Sequence, residues 1–474
     1  MWKRKVSVSG SDGLSRREFL VGTAATGGIL TIVPRFVLGG SGYVPPSDRL
    51  NLAIIGTGGQ GIVNIRALLR QADVQIIAIA DPNEESDYSA FYYGGTAGRK
   101  PALELIRSHH EKLGAEGGAG KCADYLDFRK MLDNEKSIDA VVVATPDHAH
   151  AVTAMAAIQL GKHVYCEKPL AHSIYEVRKV TEAAREAEVA TQMGNQGHSG
   201  EGIRQTCEWI WDGAIGEIRE VHAWSDVGGW ADGEKPVETP PVPATFDWEL
   251  WLGPALSRPY SPAYAPYNWR GWWDFGTGGI GDMACHNLDP AFWALHLKHP
   301  ESVEAISTEA GPKVVSDEST VRYEFSARRG LPPVTVTWYD GPRRPPLPEG
   351  MEDGKTLGRN GIIFVGQKGQ ILCGGWGGPP QLLPKALADS YSPPPKSLLR
   401  SNGHHRDWLG ACKGGPPPSS NFDHSGPLTE VVLLGNVAQR STGKLVWDGP
   451  LMTVTNQAKP NQYVQSPYRE GWEI

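Results

Sequence analysis

Asp282 and His286 are the first pair whose types and spacing could do chemistry. They stand four residues apart in Asp282-Met283-Ala284-Cys285-His286, and on a helix such residues share a face. A carboxylate there fixes the tautomer of an imidazole or binds a neighbouring hydroxyl. An imidazole that titrates near neutrality is a candidate general base. A structural alternative exists for each acid: Asp282 could cap a helix beginning at Met283, and Asp289 a segment opened by Pro290. Far upstream, Gly56-Thr57-Gly58-Gly59-Gln60-Gly61 has the spacing G-x-G-x-x-G. In such a loop Gly56 permits a tight turn, Gly58 lets the backbone approach a pyrophosphate, and Gly61 lets helix and strand pack closely. The helix N-terminus behind it then faces the phosphates. Asp81 follows Gly61 by about twenty residues, the spacing of a carboxylate that accepts from an adenosine ribose. A carboxylate there repels a 2′-phosphate, so the expected cofactor is NAD rather than NADP. A dinucleotide and a base are together what removing a hydride and a proton from an alcohol requires.

The elements that must position these groups are legible as a pattern. An apolar strand is expected over residues 50–55, directly before the glycine loop, with a helix over 62–70 and a second strand over 74–80. Residues 84–120 are irregular and glycine-rich, with Tyr92-Tyr93-Gly94-Gly95, Gly117-Gly118-Ala119-Gly120 and a helix over 101–113. A short helix is expected over 122–131. The continuous apolar run 140–144 has the character of a buried parallel strand. It leads to Thr145-Pro146-Asp147-His148-Ala149-His150 and a helix ending at Gly161, then a strand 163–166 and Glu167-Lys168-Pro169. This alternation predicts a doubly wound parallel sheet, the Rossmann arrangement, over residues 48–196. Residues 197–474 are expected to form a second domain. Its strands lie over 217–225, 303–309, 319–325, 334–339, 361–365 and 370–373, with a late helix over 428–441. Proline-rich loops separate them.

With these pieces in order, the chain resembles the glucose–fructose oxidoreductase, inositol dehydrogenase and rhizopine catabolism (Gfo/Idh/MocA) family. The resemblance rests on Gly56 to Gly61, Thr145-Pro146 with His150, Gly161-Lys162-His163-Val164, Glu167-Lys168-Pro169 and the run from Asp282 to Asp289. It implies an α/β fold in which the Rossmann domain precedes an α/β domain with a large, open, mostly antiparallel sheet, often the oligomer contact. It implies that Thr145, Pro146, His150 and Glu167 belong to the cofactor side. It also implies that Lys168 sits beside nicotinamide and substrate, with Asp282 and His286 facing it from the second domain. Burial and a positive nicotinamide are expected to lower the pKa of Lys168, making it a donor or proton relay. A homo-oligomer, dimer or tetramer, is implied as well.

The aromatic run Tyr267-Asn268-Trp269-Arg270-Gly271-Trp272-Trp273 suits a sugar, since indoles stack on C–H faces while Arg and Asn meet hydroxyls. Trp269 and Arg270 are therefore candidate substrate contacts. Asn195 and His198, just past an expected last Rossmann strand over 189–193, are others, as is Asp289. His148 stands on the same footing as His198, and for each a satisfied structural histidine is the competing reading. His404-His405-Arg406-Asp407 lacks further ligands at metal spacing, and no metal is expected.

The whole chain, 474 residues with a formal net charge of -7, offers no basic field for nucleic acid. Six scattered cysteines without a Cys-x-x-Cys pair suggest small buried residues, not a disulfide framework. Residues 1–40 contain Arg16-Arg17 before Phe19-Leu20 and a weakly apolar run too short and polar for a stable membrane span. This resembles a twin-arginine signal and implies export to the periplasm in folded form, by the twin-arginine machinery. A protein exported folded can carry its cofactor inside it. The expectation is thus a nicotinamide-dependent oxidoreductase with tightly held NAD, acting on a sugar, polyol or related hydroxyl. Two alternatives stand beside it: a redox-neutral, NAD-dependent glycosidase or lyase, and a non-catalytic carbohydrate-binding protein.

Overall fold

A computed structural model describes residues 48–112, 122–230 and 238–474, apart from 309, 317 and 353. The first 47 residues, with the paired arginines, and the Gly117 to Gly120 run lie outside the described residues. The first half runs β1 (Leu50–Ile55), α1 (Gly59–Leu68), β2 (Val74–Ala80), β3 (Ser86–Asp87), β4 (Thr96–Ala97), α2 (Arg99–Lys112), β5 (Ala123–Tyr125), α3 (Phe128–Asn134), β6 (Ala140–Val143), α4 (Asp147–Gln159), β7 (His163–Glu167), α5 (Ile174–Glu186) and β8 (Thr191–Gly194). Six of these strands form one parallel sheet in the order β5-β2-β1-β6-β7-β8. Strand order reverses beside β1, so a crevice opens past the carboxyl ends of β1 and β6, where such sheets bind ligands. All of β6 is buried, as a parallel strand covered on both faces must be.

The expected helix over 122–131 is instead a strand followed by a helix. Ala123–Tyr125 adds to the sheet edge beside β2, and α3 starts only after Asp127, whose carboxylate accepts from the Arg129 N–H as an N-cap. The two-residue strands β3 and β4 pair Ser86 with Ala97 and Asp87 with Thr96, and so pinch off the tyrosine-rich loop between them.

The second half contributes α6 (Glu201–Trp211), β9 (Ile218–Ser225), α7 (Trp248–Leu252), α8 (Gly278–Asn287), α9 (Asp289–Ala294), β10 (Ser302–Thr308), β11 (Ser319–Phe325), β12 (Val334–Asp340), β13 (Asn360–Gly366), β14 (Gln370–Gly374), β15 (Pro380–Leu383), α10 (Lys385–Ser390), α11 (His404–Cys412), α12 (Phe422–Gln439), β16 (Leu445–Asp448) and β17 (Thr453–Val454). Its nine strands form one sheet, β15-β14-β13-β9-β12-β11-β10-β16-β17. Only β9 with β12 is parallel, and the other pairings are antiparallel. The expected large, mostly antiparallel sheet is present.

One apolar core runs through both halves. Val141 and Val164 of the first sheet, Val177 of α5, Leu434 of α12 and Trp338 of the second sheet belong to it. Helix α12 is buried almost all round, as a helix between two layers must be. The opposite face of the first sheet has its own core of Leu52, Ile54, Ile79 and Val142, completed by Trp408 and Leu409. Those two belong to α11. This helix, from within the span 197–474, packs on the Rossmann sheet, where Arg406 and Lys413 both pair with Asp73. All six cysteines are free, four of them buried.

Candidate active site

A cavity of about 560 Å³ lies past the ends of β1 and β6 and is closed by the second domain; Gly56, Asp81, Lys168, Arg270, Asp282 and His286 all line it. Its floor is the glycine loop. Gly56 has φ +88, and a Cβ there would lie 2.5 Å from the Ala144 carbonyl carbon. At Gly61 a Cβ would lie 2.1 Å from the Gly56 oxygen, so α1 can approach β1 only with glycine there. Helix α1 begins at Gly59 with no side-chain cap, and a helix N-terminus left so is an anion site. Asp81 Oδ2 accepts from Thr57 N at 2.6 Å, and Oδ1 from Asn83 N at 2.8 Å. Burial raises the Asp81 pKa despite these bonds. The loop, the open helix end and this carboxylate fit the diphosphate and ribose of a dinucleotide. Gly56, Gly58, Gly59, Gln60, Asp81, Thr145, Pro146, His150, Glu167 and Lys168 line the cavity. Thr57 and Gly61 stand behind it and shape the loop.

The loop has a roof. The Tyr88 hydroxyl donates to the Pro266 carbonyl at 3.4 Å, and a Cβ at Gly58 would lie 2.9 Å from that hydroxyl oxygen. The Tyr93 ring lies against Gly59, and its hydroxyl donates to Gln60 Oε1 at 3.2 Å. Both tyrosines come from the β3–β4 loop, whose Phe91 stacks on Tyr267 of the second half, ring centres 4.5 Å apart.

Next to the loop, the buried Glu167 accepts from Gln60 at 3.1 Å and Asn64 at 2.9 Å. His150 bridges two turns, with Nδ1 2.6 Å from the Pro169 carbonyl and Nε2 2.8 Å from that of Thr145. Burial holds it down to about 4, so it is neutral and donates to one carbonyl at a time. It thereby ties the Thr145-Pro146 turn to the strand end that carries Lys168.

Lys168 Nζ donates to Asp282 Oδ1 at 2.6 Å. Burial pulls the ammonium down, but the charge and hydrogen bond of Asp282 outweigh it, and the pKa is raised. This corrects the expectation of a lowered pKa. Lys168 is a charged donor, because its carboxylate partner sits within bonding distance. Burial opposes ionisation of Asp282, yet Lys168 and Arg270 hold its pKa at about 2. Asp282 lies in the middle of α8, so the capping alternative does not apply; Thr277 occupies that position. One turn on, His286 Nδ1 has no hydrogen-bond partner. Burial and the Lys168 charge lower its pKa to about 3. The base candidate is therefore a neutral imidazole. Arg270 lies 4.2 Å over the Trp269 ring and 4.4 Å over that of Tyr267, with Nε 3.6 Å from Asp282. Trp269 is only 6% exposed. It lines the cavity mainly as the backing of Arg270.

Three expected substrate contacts are placed elsewhere. Asn195, His198 and Asp289 are buried together. Asp289 accepts from Asn195 Nδ2 at 3.0 Å, and its oxygens lie 2.8 Å from His198 Nδ1 and from His424 Nε2. Asp289 opens α9, is buried and does not line the cavity, so its partners are interior. The three ring and carboxylate groups converge within 4.8 Å, close enough for a metal ion. Separations of 2.8 Å are also those of imidazole N–H groups donated to a carboxylate. His148 meets the Trp251 and Phe275 carbonyls and is structural.

Among the cavity residues that escape the sequence pattern are Asp147 and Trp376. Asp147, the first residue of α4, is buried and accepts from Thr277 Oγ1 at 2.6 Å; burial raises it to about 7. Its position directly after Thr145-Pro146, at a helix start, was the available signal. Trp376 reaches the cavity from the β14–β15 connection, 6.0 Å from the His286 ring. Its signal was a tryptophan set among four glycines.

Two models of one oxidoreductase family match the chain, that of its NAD-binding Rossmann fold over residues 50–195 and that of its C-terminal alpha/beta domain over residues 218–327. A levoglucosan dehydrogenase of Pseudarthrobacter phenanthrenivorans is 26% identical over 193 residues, 40% of this chain and 42% of that protein. A 1,5-anhydro-D-fructose reductase of Ensifer adhaerens is 28% identical over 200 residues, 41% of this chain and 48% of that protein. The chain thus spans less than half the length of either relative. In three dimensions it resembles the WlbA dehydrogenase of Bordetella pertussis, solved in complex with NADH and UDP-GlcNAcA. That likeness has a TM-score of 0.55 and 18% identity, over 84% of this chain and 99% of that one, and is one of fold. By both family models, and by the Rossmann sheet followed by a large open sheet, the chain belongs to the Gfo/Idh/MocA oxidoreductase family.

Proposed function

We propose that the protein is an NAD-dependent oxidoreductase acting on a hydroxyl of a sugar, polyol or related carbohydrate. The observation that carries this reading is the convergence of the Lys168–Asp282 pair and neutral His286 on the cavity floored by the Gly56 loop. Bound at that loop, NAD supplies the hydride acceptor. His286, uncharged and lining the cavity, takes the hydroxyl proton. Lys168, kept charged by Asp282, donates to the same substrate oxygen and stabilises charge that develops there. Arg270 fixes Asp282 from the other side.

Finer points of the proposal rest on separate observations. Asp81, which lines the cavity past the glycine loop, supports NAD over NADP, since a carboxyl at the ribose position accepts from hydroxyls and offers a phosphate no donor of its own. The roof of Tyr88 and Tyr93 supports a tightly held nucleotide. The Arg16-Arg17 segment supports export to the periplasm by the twin-arginine route, and the family resemblance supports a homo-oligomer assembled on the open sheet. Among the described residues no helix is long and apolar enough to cross a membrane.

The test is to recover the protein from the periplasm, denature it, and record the ultraviolet spectrum and mass of what is released. Stoichiometric NAD or NADH is expected. An Arg16→Lys, Arg17→Lys variant should stay cytoplasmic. A protein that neither carries nor binds a nicotinamide nucleotide overturns the proposal. Free sugar released from a glycoside without net NADH would instead select the redox-neutral reading.

A further inference from the structure

The β14–β15 connection reads Gly374-Gly375-Trp376-Gly377-Gly378. Trp376 has φ +57, a left-handed backbone that a bulky side chain rarely adopts. A turn at that angle is served by glycine or asparagine, so the backbone gives no reason for an indole. The core gives none either, because Trp376 is 49% exposed.

The loop is held so that it cannot relax. Trp376 N–H donates to Asn287 Oδ1 at 3.1 Å, and Asn287 Nδ2 donates to the Trp224 carbonyl at 2.8 Å. A Cβ on Gly197 would lie 2.2 Å from the Trp376 oxygen, and one on Gly202 2.4 Å from the Gly377 oxygen. On the other side a Cβ on Gly375 would lie 2.7 Å from that of Asn360. The backbone is thus wedged between the start of α6 and β13. Non-glycine residues persist in such a conformation where their surroundings over-determine them, and they cluster at functional sites. The fold presents one large, rigid aromatic face at the active cavity beside His286. Polar groups of the right kind surround it. Asn360 lines the same cavity with its Oδ1 unpartnered, and the Arg359–Asp226 pair, 2.8 Å, lines it too.

An aromatic face with a few planar polar groups is the composition that recognises carbohydrate. We propose that Trp376 is the stacking platform for the substrate and selects a closed pyranose ring over an open-chain polyol. A ring offers a fixed set of C–H groups to the indole. An open chain must be ordered to do so and loses conformational entropy on binding. This rests on the carbohydrate reading above and narrows it.

The test is calorimetric binding to the full NAD-loaded chain of methyl glucopyranoside, galactopyranoside and mannopyranoside, against sorbitol, galactitol and mannitol. At least one pyranoside should bind, about tenfold or more tighter than its open-chain counterpart, the size of one aromatic stack. Trp376→Ala should lose that margin and Trp376→Phe keep part of it. With a turned-over pyranose, KM should rise while kcat changes little. Trp376→Gly separates binding from folding, since glycine suits the backbone: unfolding temperature should hold or rise while binding falls. The platform is overturned if no pyranoside binds, if polyols bind as well, or if Trp376→Ala and Trp376→Gly bind like the parent. Ring binding that needs Trp376 in a protein with no nucleotide would sink the oxidoreductase reading alone. Turnover with an unchanged KM in Trp376→Ala would sink the platform alone.

Discussion

His286 and Asp147 share a cavity, and burial drives both toward the uncharged form. The imidazole falls to about 3 and the carboxyl rises to about 7. A base at about 3 is already neutral at every pH where the protein would be assayed, so His286 gives no break near its ordinary 6.5. Asp147 does titrate there. As pH falls through about 7 it takes up a proton, and Lys168 and Arg270 lose a negative neighbour. The pH profile of kcat/KM should therefore bend near 7, and the bend should vanish in Asp147→Asn. His286→Gln should lower kcat by about a hundredfold or more at all pH values, the usual scale of a lost general base. A bend near 6.5 that survives in Asp147→Asn and disappears in His286→Gln would refute the assignment.

Among the elements, the β3–β4 loop carries the cover of the nucleotide site. Its Tyr88 and Tyr93 touch the glycine loop, and its Phe91 is fastened to the second half by the stack on Tyr267. Such a stack is worth roughly 0.5–1.5 kcal/mol, up to about tenfold in a rate. Phe91→Ala should speed NAD dissociation by about that factor, read as loss of nucleotide during gel filtration or in a displacement trace. An unchanged dissociation rate would leave the loop a bystander. The path of this loop was not legible in the sequence, because nothing periodic directs it, and the same holds for Trp376. The glycine loop, Lys168, Asp282 and His286 were legible, since each sits in a local motif whose backbone demands travel with it. Asn195, His198 and Asp289 were misassigned for a related reason. Whether a polar side chain meets a cavity or an interior partner depends on residues far along the chain, here His424 and Ser420. Helix α11 was not legible either, its docking on Asp73 being set by a contact across more than three hundred residues.

Across the whole molecule, burial strongly lowers the pKa of six imidazoles. Burial lowers His148, His286 and His404 to about 3, and His150, His172 and His405 to about 4. In the unfolded chain each takes a proton near 6.5. Their folded values are depressed, so the stability they confer is complete above 6.5 and is lost as pH falls from there toward 3. Asp147, Glu176, Asp81 and Glu167 act in the opposite sense. Burial raises them, and folding protects their protons up to about 7 for Asp147 and about 6 for Glu176. The lowered histidines outnumber the raised carboxyls, and Asp282 and Glu208, both held at about 2, add to the loss on the acid side. The unfolding temperature should fall between pH 7 and pH 4.5. Calorimetry at pH 5.5 in buffers of different ionisation enthalpy should show unfolding accompanied by proton uptake. Proton release, or a flat profile, would mean that the raised carboxyls dominate and that the histidines are charged in the folded protein. The neutral His286 on which the proposed proton transfer depends would then be lost with them.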